Sequence, residues 1–302
     1  MNTFILGKGF ISSHLPYPII SERIPLNKGY INIILDKYKP DVLINCIGKT
    51  GRPNIDWCEN NKEETALINT ALPILLADVC ERKSIKLVQI SSGCLYFSQS
   101  PNTATHTVNK KDANGRRITS SSYDHIYYET EKIIKDLGWK EDDATHPKSY
   151  YSKTKYAADL AIGSMKNVVS LRIRMPISTK NDPRNFINKI RNYPKIIDIQ
   201  NSVTFTDDFV NVIDKVIEKD ISGIYNVTNP DTLSAADVIK EYQKYVPEHK
   251  FEIINEEELD NLTIAKRSNC ILNTEKLNNV GIFLRPSREA LKDCMEKYIQ
   301  NT

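Results

Sequence analysis

A strand pattern that runs straight into glycines constrains this chain most. Thr3-Phe-Ile-Leu6 is a short apolar run, and Gly7-Lys-Gly9-Phe-Ile-Ser12 follows it at once. In a strand–turn–helix of this kind the first glycine makes the tight turn and the second lets a pyrophosphate approach the backbone. The third position needs a small residue so that helix and strand can pack closely, and here Ser12 stands in for glycine. The match is imperfect, and such a turn alone is often no more than a turn. Its place after the first strand and before the apolar stretch 10–15 favours a dinucleotide site.

The rhythm set by that turn continues. Strand-like apolar runs recur at 18–20, 42–47, 86–90 and 168–173, and the stretches 30–38, 59–83 and 151–165 carry apolar residues at helical spacing. Strands alternating with helices predict a parallel sheet covered on both faces. The expected fold is α/β, a Rossmann-type doubly wound parallel sheet with a smaller C-terminal α/β substrate lobe. Pro73 predicts a kink or break within 59–83. Asn45 to Gly48 close a buried strand at the sheet edge where a cofactor lies. Arg23, just past the second strand, suits a 2′-phosphate through its guanidinium fork and favours NADPH. Glu22 beside it suits an NAD ribose, so NADH stays open as the alternative.

Residues 98–148 are rich in Ser, Thr, Asn, Asp and Lys, with few aliphatics before 123–137. A stretch that long is expected to be an insertion or lid, with 123–137 as an extra helix. Beyond Arg174 the rhythm loosens into a short basic helix at 185–191, a helix opened by Thr206, a strand at 223–227, a helix opened by Ser234, a strand at 251–254 and a last helix capped by Ser287. The expected division is 1–174 as an NADP-binding Rossmann domain and 175–302 as mainly a substrate-binding lobe, part of the chain returning to the sheet.

Composition narrows the partners. The 302 residues carry 41 Lys and Arg against 38 Asp and Glu, and no basic stripe interleaved with aromatics stands out, so nucleic acid is not expected. Six cysteines are scattered without Cys-x-x-Cys or any metal-ligand pairing, which predicts reduced thiols and no metal. No apolar stretch approaches the roughly 20 residues that span a bilayer, and the N-terminus shows no leader pattern. The expectation is a soluble, cytoplasmic protein.

Tyr151-Ser-Lys-Thr-Lys155 opens an apolar helical run. Residues four apart share a helix face, so the Lys155 ammonium is expected beside the Tyr151 phenol, drawing its pKa down and readying it for proton exchange with a carbonyl or hydroxyl oxygen. On its own that spacing is equally a solvated helix face. Its place in the chain favours chemistry.

The order of glycine turn, Ser92 after the fourth clear strand, then Tyr151 and Lys155 on the next long helix resembles the extended short-chain dehydrogenase/reductase superfamily. Longer words narrow the resemblance. Thr50-Gly-Arg-Pro-Asn-Ile-Asp-Trp-Cys-Glu59, Arg172-Ile-Arg-Met-Pro-Ile-Ser178, Pro183-Arg-Asn-Phe-Ile-Asn-Lys189, Tyr225-Asn-Val-Thr-Asn-Pro230 and Ala265-Lys-Arg-Ser-Asn269 resemble the plant bifunctional UDP-4-keto-6-deoxy-D-glucose 3,5-epimerase/4-reductase family of UDP-L-rhamnose synthesis. The chain is more distantly similar to dTDP-4-dehydrorhamnose reductase, which only reduces, and to GDP-fucose synthase, which epimerises and reduces. Ser12 and the length of 98–148 depart from the family pattern.

The resemblance implies roles. Ser92 hydrogen-bonds the substrate oxygen, Tyr151 gives or takes the proton, and Lys155 tunes Tyr151 and grips the nicotinamide ribose. Gly7, Gly9, Phe10 and Ile11 hold the pyrophosphate of NADPH, with Asn45 and Gly48 beneath its adenosine half and Arg23 near its 2′-phosphate. Cys94 and Lys189 are the acid–base pair for epimerisation; on composition alone the first is a small buried filler and the second an ordinary basic residue. Arg267 meets the nucleotide diphosphate, Arg52, Asn54 and Trp57 shape the sugar pocket, and Arg184 and Asn185 face the sugar or its diphosphate. The five histidines match no family position and are read as surface or core. The substrate implied is a UDP-4-keto-6-deoxy sugar, UDP and dTDP being undecided, supplied by a UDP-glucose 4,6-dehydratase acting in trans; the oligomer expected is a homodimer. The alternatives are a reductase without epimerase activity and a non-catalytic NADP-binding regulatory subunit.

Overall fold

The structure, a computed structural model, describes residues 1–98 and 138–302. Apolar runs form β1 (Thr3–Leu6), β2 (Ile19–Ile20), β3 (Val42–Asn45), β4 (Lys86–Ser92) and β5 (Val168–Ile173). Strands β1, β3, β4 and β5 are largely buried on both faces, as central parallel strands require, while Ile19 of the edge strand β2 is exposed. Three shorter strands follow, β6 (Pro176–Ile177), β7 (Lys195–Ile197) and β8 (Thr204–Phe205), and then β9 (Gly223–Asn226) and β10 (Glu252–Ile254). The main sheet runs β2-β1-β3-β4-β5-β9, and every pairing in it is parallel. The chain leaves β1 to one side and returns for β3 on the other, so the crevice for a ligand falls at the carboxyl ends of those two strands.

One face of the sheet is covered by α1 (Lys28–Tyr38), the segment 56–82 and α5 (Tyr150–Ile162), through Ile31, Leu35, Leu76, Val79 and Ile162. The stretch expected as one helix over 59–83 is in pieces: α2 (Asp56–Asn60), α3 (Lys62–Ala66), a π-helical turn at Leu67–Ala71, and α4 (Leu72–Arg82). Pro73, which has no N–H to donate into the preceding turn, accounts for the π-helical turn, and the widened turn absorbs the mismatch. The earlier break falls at Asn61, which leaves helical geometry with φ −127° and ψ 55°. That turn has a use. It directs Asn69 inward, where its amide donates to Lys49 O at 2.8 Å and its oxygen accepts from Lys49 N at 2.7 Å, fixing the loop after β3.

The C-terminal half supplies α6 (Phe186–Arg191), α7 (Thr206–Glu218), α8 (Ala235–Gln243), α9 (Glu256–Leu262), α10 (Glu275–Asn279) and α11 (Ser287–Gln300). A separate core of Ile187, Phe205, Val238, Met295 and Tyr298 joins α6, α8 and α11 with the small β6–β8 pair. Several elements go back to the main sheet, α10 among them through Leu277. α7 lays Phe209, Val212, Ile213 and Val216 on its second face, against Ile5, Ile44 and Val88, and β9 extends its edge beside β5.

Ser234 opens α8 through a full capping box with Asp237. Thr206 and Ser287 are not caps: they are the first helical residues, the cap positions are Phe205 and Pro286, and no side chain closes either turn. The expected helix at 123–137 lies outside the described residues, as does most of the expected insertion. Its flanks meet, since Trp139 stacks on Tyr96 with centroids 4.7 Å apart and donates its indole N–H to Ser98 O at 2.8 Å. Among the described residues no helix is long and apolar enough to cross a membrane, and no group of three or more His, Cys, Asp or Glu is placed to hold a metal ion.

Candidate active site

A cleft of about 1260 Å³ opens where the carboxyl ends of β1, β3 and β4 meet the C-terminal lobe. At its floor the first turn is tight. Gly7 has φ +90°, and a Cβ there would stand 2.9 Å from the Ile47 backbone nitrogen, so only glycine makes this turn. Ser12 explains its own presence, because its hydroxyl accepts from Gly9 N at 2.7 Å and donates to Gly9 O at 3.0 Å. Gly9, Phe10 and Ile11 face the cleft, and Arg184 Nη1 comes within 3.1 Å of where a Gly9 Cβ would be. A bare backbone under an exposed guanidinium suits a pyrophosphate.

Gly48 shows the same economy, since a Cβ on it would be 3.4 Å from Lys155 Nζ. Asn45 lies below this loop rather than in the cleft, donating to Gln89 Oε1 at 2.8 Å and accepting from Ile47 N at 3.1 Å. Gly7 and Arg23 do not line the cleft either: Gly7 is underneath the turn, and Arg23 is exposed beyond β2. Glu22, the acidic neighbour of Arg23, is held by the Lys37 ammonium at 2.5 Å and the Tyr38 hydroxyl at 2.6 Å, which bring its carboxyl down to about 2.

Above the glycine loops sit the chemical groups. Ser92 ends β4 and its hydroxyl accepts from Cys94 N at 3.2 Å. Tyr151 and Lys155 stand on one face of α5, whose first turn is capped by Ser149. The expectation that Lys155 draws the phenol down is not met here. Burial pushes Tyr151 above its ordinary range, Cys94 adds in the same sense, and the hydrogen bond with Ser92 pulls the other way. Lys155 is itself the depressed group, lowered by burial to about 8, its Nζ 3.3 Å from Ile90 O. Ser92, Tyr151 and Lys155 all line the cleft, and the charge states of the phenol and the amine are set by desolvation.

Cys94 and Lys189 enter the same cleft from opposite halves of the chain, the thiol from the loop after β4 and the amine from the last turn of α6. The amine is lowered by burial, then by the Arg184 charge, while Cys94 acts in the raising sense. Arg174, at the end of β5, places Nη1 at 3.4 Å from Cys94 Sγ.

At the far end, Arg52, Asn54 and Trp57 line the wall. Lys49 Nζ sits 4.6 Å from the Trp57 ring centre. Arg267 also lines the cleft, but its guanidinium is engaged bidentately by Asp56 at 2.8 and 3.0 Å. Burial raises the Asp56 carboxyl, and Arg267 with the Ala265 N–H outweighs that, leaving it below the usual carboxylate range. Asn185 is a correction: fully buried, it caps α6 and donates to Ser178 O at 2.7 Å and Lys180 O at 2.8 Å, so it positions the helix and does not face the cleft. His14 is more than surface or core filling. It bridges Phe10 O at 2.7 Å and the Ser178 hydroxyl at 2.6 Å, tying the glycine turn to the loop before α6. Sequence reasoning misses Lys49, Asp56, Arg174 and Ser268; Asp56, Arg174 and Ser268 lie inside quoted family words, where a carboxylate, a second arginine and a hydroxyl are the available signals.

Fold and site together define a doubly wound α/β protein with a Ser–Tyr–Lys group facing a glycine-floored cleft. The chain belongs to the family described as RmlD substrate binding domain, whose model matches residues 26–300, and is related to dTDP-4-dehydrorhamnose reductases. It is 31% identical to the bifunctional dTDP-4-dehydrorhamnose 3,5-epimerase/dTDP-4-dehydrorhamnose reductase of Arabidopsis thaliana, over 98% of this chain and 88% of the relative. A trifunctional UDP-glucose 4,6-dehydratase/UDP-4-keto-6-deoxy-D-glucose 3,5-epimerase/UDP-4-keto-L-rhamnose-reductase of the same plant is 32% identical over 98% of this chain, which spans 40% of that protein's length. The crystal structure of the UDP-rhamnose synthase of Acanthamoeba polyphaga mimivirus superposes with a TM-score of 0.79 at 24% identity, covering 98% of this chain and 99% of that one. So does a dTDP-4-dehydrorhamnose reductase of Bacillus anthracis in complex with NADP, with a TM-score of 0.74 at 18% identity and 99% of each chain.

Proposed function

We propose that the chain reduces the 4-keto group of a UDP-4-keto-6-deoxy sugar with NADPH, and that the same cleft first inverts C3 and C5, so that UDP-4-keto-6-deoxy-D-glucose becomes UDP-L-rhamnose. Bound NADPH supplies the hydride for C4, chemistry that no side chain offers. The glycine turn, Arg184 and the Gly48 loop fit its pyrophosphate and adenosine half, and Lys155 beneath the cleft fits its nicotinamide ribose. Glu22 is engaged by Lys37 and Tyr38, and Arg23 beside it has no ion-pair partner among the described residues, which supports NADPH over NADH.

The observation that carries the epimerase step is the meeting of Cys94 and Lys189 in the cleft that also holds Ser92 and Tyr151. Protons at C3 and C5 are acidic because their removal leaves an enolate on the C4 oxygen. Ser92 and Tyr151 hydrogen-bond that oxygen as it gains charge. Inversion needs one group to take a proton and another to return one from the opposite face, and a thiol and a partly desolvated amine are such a pair. During reduction Tyr151 gives its proton to the new alkoxide. Arg267, oriented by Asp56, offers its guanidinium N–H groups to the nucleotide diphosphate, and Arg52 helps shape the sugar pocket. A UDP-glucose 4,6-dehydratase supplies the keto sugar in trans, a reading supported by the dehydratase named in the longer relatives.

The test is incubation of the protein with NADPH and UDP-4-keto-6-deoxy-D-glucose in deuterated buffer. UDP-L-rhamnose carrying deuterium at C3 and C5 is expected, and Cys94→Ala should lose deuterium entry while still binding NADPH. Cofactor consumption by the native protein without deuterium entry would leave a reductase only. No consumption would leave a cofactor-binding subunit.

A further inference from the structure

The structure assigns to Arg174 a role as the positioning residue of Cys94, an inference that rests on the epimerase reading above. Arg174 is 1% exposed and ranks among the largest fully buried side chains. Two residues earlier, equally buried Arg172 is neutralised by Asp159, with Nε 2.8 Å from the carboxylate. Arg174 has neutral acceptors instead: the Ser268 hydroxyl at 3.0 Å, Ser268 O, Asn201 Oδ1, and Cys94 Sγ at 3.4 Å; its Nε has no partner. A buried cation without a carboxylate is costly, and of the four acceptors only the sulfur can take on a full negative charge. Asn201 is itself fixed, its oxygen accepting from Cys270 N at 2.9 Å and its amide donating to Asn269 Oδ1 at 3.1 Å. The guanidinium is therefore held from behind, with Nη1 presented to the thiol. The other titratable groups around that sulfur are Tyr151, Lys189 and Cys270.

The proton account closes. At the carbon it serves, the Cys94 thiolate forms an S–H bond as the C–H bond breaks, and the electron pair moves onto the C4 oxygen as an enolate held by Ser92 and Tyr151. The Lys189 ammonium returns a proton to the opposite face of that carbon. Solvent then reprotonates the amine and takes the thiol proton. Arg174 donates to the sulfur in its anionic form and gives it up in part when the proton arrives, so it acts through Cys94 and does not touch the sugar.

The experiment follows iodoacetamide alkylation of Cys94 at pH 7, read by peptide mass spectrometry in substrate-free native protein, Arg174→Met and Arg174→Lys, with thermal melts of each. Loss of a charge-assisted hydrogen bond predicts that Arg174→Met slows Cys94 alkylation about tenfold. Deuterium entry at C3 and C5 should fall by more than NADPH-dependent reduction of UDP-4-keto-L-rhamnose does, and Arg174→Lys should recover part of both losses. If Arg174→Met does not fold, Arg174→Lys alone decides, with alkylation expected to fall about threefold because one ammonium cannot hold both sulfur and Ser268. Alkylation of Cys94 at the native rate in either folded variant overturns the proposal. Failure of the epimerase reading shows separately, as absence of deuterium entry in the native protein, because alkylation needs no substrate.

Discussion

Lys155 is the residue at which function and stability pull hardest against each other. Its amine falls from an ordinary 10.5 to about 8 because it is buried. The unfolded chain therefore binds a proton at Lys155 more tightly than the folded one does. The resulting penalty on folding is full below about pH 8, shrinks as pH rises towards 10.5, and is absent above it. At pH 7 it is on the order of 3 kcal/mol. Lys155→Met should raise the urea midpoint at pH 7, flatten the rise of stability between pH 8 and 10, and abolish ketoreduction; denaturation at a series of pH values and NADPH absorbance read the two effects. Arg23 makes a second prediction at this scale. Arg23→Ala should raise KM for NADPH about tenfold and leave KM for NADH nearly unchanged, the loss of one guanidinium–phosphate contact, measured by initial rates with each cofactor.

Helix α5 carries Tyr151 and Lys155, and what fixes it is an ion pair out of the cleft's view. Asp159, two turns along, accepts from Ser170 Oγ at 2.7 Å and from Arg172 Nε at 2.8 Å, both on β5. Removing one partner of such a pair strands the other charge in the core. Asp159→Ala should destabilise the protein by about 3–5 kcal/mol, whereas Asp159→Leu with Arg172→Met should cost much less; chemical denaturation of the single and double variants decides. Helix α6 is fixed by a chain of contacts from Asn185 to Ser178 to His14 to Phe10. Since a carbonyl can only accept, His14 donates through Nδ1 and, when neutral, accepts from Ser178 through Nε2. Burial lowers the His14 pKa, so the unfolded state takes up the proton first as pH falls and stability declines below the ordinary histidine value near 6.5. His14→Ala should remove that acid limb from the stability profile and raise KM for the sugar nucleotide, read by melts at pH 5 to 7 and by initial rates.

At the scale of the whole molecule, the strands of the first half were legible because each is a compact apolar run ending on a glycine or a small residue. Ser92, Tyr151 and Lys155 were legible because each sits at a fixed place relative to such an element. The pairings of Asp56 with Arg267, Arg174 with Cys94, and His14 with Ser178 were not, because each is made across 80 or more positions of chain and a local word that holds one member says nothing of its partner. The chain was expected to divide near residue 174, with a partial return to the sheet. The observed path goes out to the lobe, back to lay α7 and β9 on the sheet, and out again for α8. A fragment ending at 174 should therefore expose the apolar face that α7 covers, and should aggregate or bind a hydrophobic dye where the full chain does not, as light scattering and dye fluorescence would show.

That weaving also bears on how the proposed sugar nucleotide gets in and out. Because the backbone passes between the two halves several times, they are stitched together like a hem and cannot swing apart on one strip of chain.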